Sequence, residues 1–308
     1  MAERARVMDE LDRERAQPMP PGLVLAAALA VPFVLYSYLG GLWLNQHGYS
    51  PRVLVAVREW VNRPLGVGED FGVLALCVLL LVAGYAGAAD RSPVRAAWSV
   101  GLPAVVAVGA AALGAPALVW PFAVVAVHAV LLLVTTPLRA RPLIAVVVQL
   151  VVVAGGAVLV GAHDQEVVDK LAFAVLPIMG QALWLVRVKA LTALTGGTLV
   201  VAGWALIAAV ESRHPAWEGQ WFPITVCYAV LVVLVALPSG ELLGRHAFVR
   251  AVTARAAWIV ALIGPVGLTV QDLLYPATPW LLIVLAGAAA TAASAEILYR
   301  LPRPGGAR

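Results

Sequence analysis

Long apolar runs with few or no charges recur along this chain, separated by short polar stretches that hold most of its arginines. The first run, 22–44, reads GLVLAAALAVPFVLYSYLGGLWL. A helix rises 1.5 Å per residue, so about twenty apolar residues cross a hydrocarbon core of about 30 Å. Further runs lie at 71–89, 97–114, 117–135, 142–162, 171–188, 191–210, 222–238, 256–275 and 278–299. Apolar positions within them are continuous rather than alternating, which points to helices and away from a β-barrel. The pattern predicts an all-α, polytopic membrane protein of about ten transmembrane helices. A single transmembrane domain is expected over 22–300, between cytosolic tails at 1–21 and 301–308.

Composition agrees with the pattern. Of 308 residues, 62% are hydrophobic and 12% charged, and the mean hydropathy is +0.91. A soluble domain has about twice that share of charge. The first twenty residues are polar and charged, so no cleavable signal peptide is expected. Cys77 and Cys227 both fall inside apolar runs and are expected to be small packing residues, with no disulfide framework or metal spacing. The net charge of +4 would suggest nucleic acid in a soluble protein. Here it reflects the side of the membrane on which arginines sit. With ten crossings and the N-terminus inside, 16 of the 21 basic residues fall in cytosolic segments and 5 in outer ones. That satisfies the positive-inside rule and predicts a multi-pass protein of a bacterial inner membrane with both termini cytoplasmic.

The longest polar connection, about 45–70, contains VLVAVREWVN (53–62), which has the character of a helix lying in the interface. Within it Arg58 and Glu59 could bind an anionic acceptor, but a salt pair with each other is the simpler expectation. Glu69 and Asp70 precede the second run, where acids favour a helix N-terminus. Arg91 and Arg95 share a face four residues apart at the start of the third helix, where they could bind phosphates or simply signal topology. His128 lies within the fourth run. An ionisable group at membrane depth suggests function, and its bland alternative is a neutral imidazole bonded to another helix. Gln149 and Gln181 read as bonds between helices. The loop segment HDQE (163–166) does not have metal-ligand spacing.

Several stretches resemble the membrane acyltransferase type 3 family, the ten-helix O-acyltransferases of bacteria. They are VLYSYLGGLW (34–43), NRPLGVGEDFGVLALCVLLLVAGYAGA (62–88), IGPVGLTVQDLLYP (263–276) and AEILYRLPRP (295–304), with a looser likeness in RSPVRAAWSVGLP (91–103). The resemblance implies transfer of an acyl group from cytosolic acyl-CoA to a hydroxyl of a glycan or small-molecule acceptor. No bound cofactor is implied. A first-helix histidine would be the general base, with an arginine eleven residues before it. This chain departs from that pattern. Ser37 stands at the histidine position and Ala26 at the arginine position. Ala83 replaces a serine, Ile263 replaces the histidine before the Gly-Pro of the ninth helix, and Pro302 stands where an acid would precede the final Arg-Pro. A serine hydroxyl is a poor base and needs a base beside it to act as a nucleophile. None is near Ser37 within a helical turn, so catalysis is expected to be impaired or altered. The alternative is a non-enzymatic carrier or envelope accessory protein that keeps the scaffold. On the acyltransferase reading, Ser37 and His128 are the candidate catalytic residues, and Tyr36, Arg58, Glu69, Asp70, Arg91 and Arg95 the candidate substrate-binding ones. A polar cavity reaching Ser37 from the cytosolic side is also expected.

Overall fold

The computed structural model describes residues 19–67, 70–90, 93–138, 140–161, 165–213 and 222–301. Glu69, Arg91, HDQE and both tails therefore fall wholly or largely outside the described residues. Arg95 lies in a helix whose side chains are described only from residue 100 onward.

Among the described residues the chain is helical and has no strand. The elements are α1 (Pro21–Gln46), α2 (52–65), α3 (Gly72–Ala89), α4 (Pro93–Ala112), α5 (Trp120–Val134), α6 (Pro142–Gly161), α7 (Gln165–Ala172), α8 (Val175–Arg187), α9 (Ala193–Arg213), α10 (Phe222–Ala236), α11 (Ala247–Leu274) and α12 (Trp280–Arg300). Among the described residues seven helical stretches are long and apolar enough to cross a membrane: α1, α3, α6, α9, α11, α12 and the stretch Lys170–Arg187. Trp120–Val134 is a shorter apolar helix, and Val100–Ala112 and Phe222–Ala236 are the fully described parts of two others. Fifteen helical residues reach only about 22 Å, less than a hydrocarbon core. The apolar run of α5 begins at 117, before the helix does, which is why hydropathy alone overstates its length.

The bundle is organised around α3 and α8. These two pack on each other more extensively than any other pair, and α3 also packs on α1 and α10. Every residue of α8 from Val175 to Leu185 is buried. Glycines set the approach. A Cβ on Gly84 would lie 2.0 Å from the Pro177 carbonyl oxygen, and one on Gly180 would lie 2.0 Å from that of Leu81. Each helix thus presses its backbone into a glycine of the other. Apolar side chains gain nothing by leaving lipid, so close backbone packing of this kind is what holds such helices together. By contrast Leu133, Val134, Leu159, Val201 and Leu285 point outward from the bundle, as lipid contact requires. Cys77 is buried, but Cys227 is exposed on the surface of α10. The packing role expected for both therefore holds for one.

Three helices contain wide turns with i→i+5 bonding: Tyr36–Leu42 in α1, Arg58–Asn62 in α2 and Ile263–Leu268 in α11. Prolines and glycines explain two of them. Pro32 in α1 and Pro265 in α11 lack the N–H that would close the ordinary ladder, and Gly40, Gly41, Gly264 and Gly267 tolerate the altered path. The wide turns of α1 and α11 face each other. Gln271 Nε2 donates to the Leu39 carbonyl oxygen at 2.8 Å across that contact. Two further ties fix α1 to α11: Thr253 Oγ1 donates to the Val24 carbonyl at 2.8 Å, and Trp43 Nε1 donates to Asp272 Oδ1 at 2.7 Å. At the other end of α11, Arg255 bonds Glu296 of α12, which also holds Arg300.

Candidate functional site

The wide turn of α1 carries Ser37 to the start of α3. Ser37 is 7% exposed. Its Oγ donates to Asp70 Oδ1 at 2.6 Å. The same Asp70 oxygen accepts the Gly72 backbone N–H at 2.8 Å. The expectation that no base stands beside Ser37 is therefore corrected. A carboxylate reaches it from 33 residues away along the chain, at the point where the loop after α2 turns into α3. Asp70 thus also accepts the first N–H of α3, at the helix start where acids are favoured, so one carboxylate does both.

Two glycines make the contact possible. A Cβ on Gly72 would lie 2.1 Å from Ser37 Oγ, and one on Gly41 would lie 2.9 Å from Asp70 Oδ2. The Arg58 guanidinium comes to the same place from the wide turn of α2. Its Nη2 donates to the Gly41 carbonyl at 3.0 Å. Tyr36 lies within electrostatic reach of both Asp70 and Arg58. Its hydroxyl is buried with no hydrogen-bond partner among the described residues. The site thus combines a carboxylate, a hydroxyl bonded to it, a guanidinium and a phenol, drawn from α1, α2 and the start of α3. Of the residues selected from sequence, Ser37, Tyr36, Arg58 and Asp70 come together here.

His128 does not join them. It is 3% exposed on α5 and its Nε2 donates to Gln181 Oε1 of α8 at 3.1 Å. The simpler of its two sequence readings, a buried imidazole bonded to another helix, describes this contact. Gln149 of α6 likewise donates to Thr135 Oγ1 at 2.8 Å. His128 and Gln181 line a cavity of about 560 Å³ bounded by α3, α4, α5 and α8. It lies toward the end of the bundle where α3 finishes at Asp90, and Ser37 is not part of its lining. The expected polar cavity leading to Ser37 is thus not this one: its walls are mainly apolar, built from residues such as Ala83, Ala104, Phe122, Leu132 and Trp184.

Sequence reasoning gave no role to Gly41 and Gly72. The signal was available in GEDFG (68–72), a glycine two residues after an acid at a helix start. Its partner on α1 could not be inferred. Among the described residues no group of three or more His, Cys, Asp or Glu side chains is placed to hold a metal ion. Comparisons with family models, with characterised proteins and with solved structures give no match for this chain.

Proposed function

We propose that this protein is an integral membrane O-acyltransferase related to the type 3 family, crossing the membrane ten times with both ends in the cytosol. In this reading Asp70 takes the place of the missing imidazole. The observation that carries it is the 2.6 Å hydrogen bond from Ser37 to Asp70, at the position where the resembling family has its base. Asp70 accepts the proton of an acceptor hydroxyl, directly or through Ser37 Oγ. The acceptor oxygen then attacks the acyl thioester: the C–O bond forms, the C–S bond breaks, and the proton passes to the departing thiolate. Arg58 and the Tyr36 hydroxyl supply hydrogen bonds to the acceptor. Carboxylates are weaker bases in water than imidazole, so turnover is slower than a histidine base would give.

The separation of the 560 Å³ cavity from Ser37 favours a second reading, in which the chain keeps the scaffold and binds a lipid-like molecule without transferring it. One experiment divides the two. Protein reconstituted in lipid is given radiolabelled acyl-CoA with a panel of hydroxyl acceptors, and binding and transfer are measured separately. Transfer that Asp70→Asn abolishes while binding persists supports the enzyme. Binding without transfer supports the carrier. Neither binding nor transfer removes acyl-CoA from the account.

A further inference from the structure

The cavity between α3, α4, α5 and α8 holds a polar pair that the Ser37 site does not use. His128 and Gln181 are 3% and 6% exposed, and they bond each other through Nε2 and Oε1. That bond fixes the tautomer, because the imidazole must carry its proton on Nε2 to donate to an amide oxygen. Nδ1 is then an acceptor, and the Gln181 NH₂ group is a donor. The Nε2–Oε1 bond leaves Nδ1 and the NH₂ group available toward the cavity that both residues line. Gly87 of α3 leaves the ring edge uncovered, since even a Cβ there would come only to 4.0 Å from Cε1. The other hydroxyls of the lining are already committed. Thr135 Oγ1 donates to the Leu131 carbonyl and accepts from Gln149, and Thr136 Oγ1 donates to the Leu132 carbonyl. An acceptor beside a donor in an otherwise apolar cavity suits a ligand that brings one of each.

The chemistry of that partner follows from the lining. It must offer both a hydrogen-bond donor and an acceptor on an apolar body. A single O–H group supplies both, and among the described lining residues the one acid is Asp90. We infer that the cavity binds a long-chain amphiphile with an uncharged O–H head, an alcohol or a protonated carboxylic acid, whose head bridges His128 Nδ1 and Gln181 Nε2 while its chain lies against α3, α4 and α5. This site is independent of acyl transfer at Ser37 and holds whether the protein transfers or carries.

The test is photolabelling of the full-length protein in lipid nanodiscs with hexadecanol and hexadecanoic acid, each bearing a diazirine in the chain. Label is expected in peptides of α5 and α8. His128→Leu and Gln181→Leu each reduce it about tenfold, the effect of one hydrogen bond to a buried group. Ala104→Phe fills the chamber from α4 without touching the polar pair and abolishes label. Untagged hexadecanol competes, and hexadecane does not. Ser37→Ala leaves labelling unchanged, which keeps the result apart from the transfer reaction. The relative yield of the two probes tells whether the head is an alcohol or an acid. Labelling that survives Ala104→Phe, or that hexadecane competes as well as the alcohol does, overturns the inference. If either polar variant fails to fold, those two arms still decide it.

Discussion

Asp70 belongs to a loop and Ser37 to a membrane helix, yet they share a proton-bridged contact of 2.6 Å. Each was visible in the sequence as a separate candidate, because a hydroxyl among glycines in an apolar run and an acid before a helix both stand out. Their pairing was not, since it depends on how α2 returns the chain to α1. Arg58 was read mainly as a partner for Glu59, and the structure turns its guanidinium to a backbone carbonyl freed by the wide turn of α1. Two predictions belong to this scale. Asp70→Asn keeps the shape and an oxygen for Ser37 but removes the base, so transfer falls about 10²- to 10⁴-fold, whereas Ser37→Ala costs about tenfold because the carboxylate remains. Initial rates of acyl transfer check both. Gly72→Ala puts a methyl on top of Ser37 Oγ and is expected to destabilise by about 1–3 kcal/mol, read as a lower thermal unfolding midpoint.

At the scale of elements, hydropathy located the helices well because lipid demands uninterrupted apolar surface. It did not show that α5 stops short of a full crossing, because the apolar run includes 117–119, which precede the helix. Nor did it reveal the wide turns, which depend on which N–H groups are missing rather than on which side chains are oily. The Gln271 bond to Leu39 ties α11 to the wide turn of α1, and Gln271→Leu should cost about 1–3 kcal/mol by leaving a buried carbonyl without its donor. The α3–α8 contact yields a sharper expectation. Gly84→Ala and Gly180→Ala each force the backbones apart and cost about 1–3 kcal/mol, and the double variant costs less than the sum because the first substitution has already opened the gap. Denaturant titration in detergent measures all of these.

For the whole molecule, the proposed orientation, with the arginine-rich loops inside, is open to test. Ser239 lies beside the start of α1, and Ser50 follows its end. With the arginine-rich face in the cytosol, a cysteine at Ser50 reacts with a membrane-impermeant maleimide in intact cells, and one at Ser239 reacts only after permeabilisation. Cys77 is enclosed by protein and serves as an internal control, and Cys227, exposed five residues into α10, is first replaced by Cys227→Ser. The family resemblance rested on stretches that lie mostly on α1, α3, α11 and α12, and the Ser37–Asp70 site uses the first two of these. The rest of the chain, including the chamber beside His128, had no such guide.

The interlocked glycines of α3 and α8 also constrain how this protein can move. Two backbones seated in each other cannot slide or separate without losing the contacts at Gly84 and Gly180. Any widening of the chamber beside them therefore comes most readily from its opposite wall, where α4 and α5 lie.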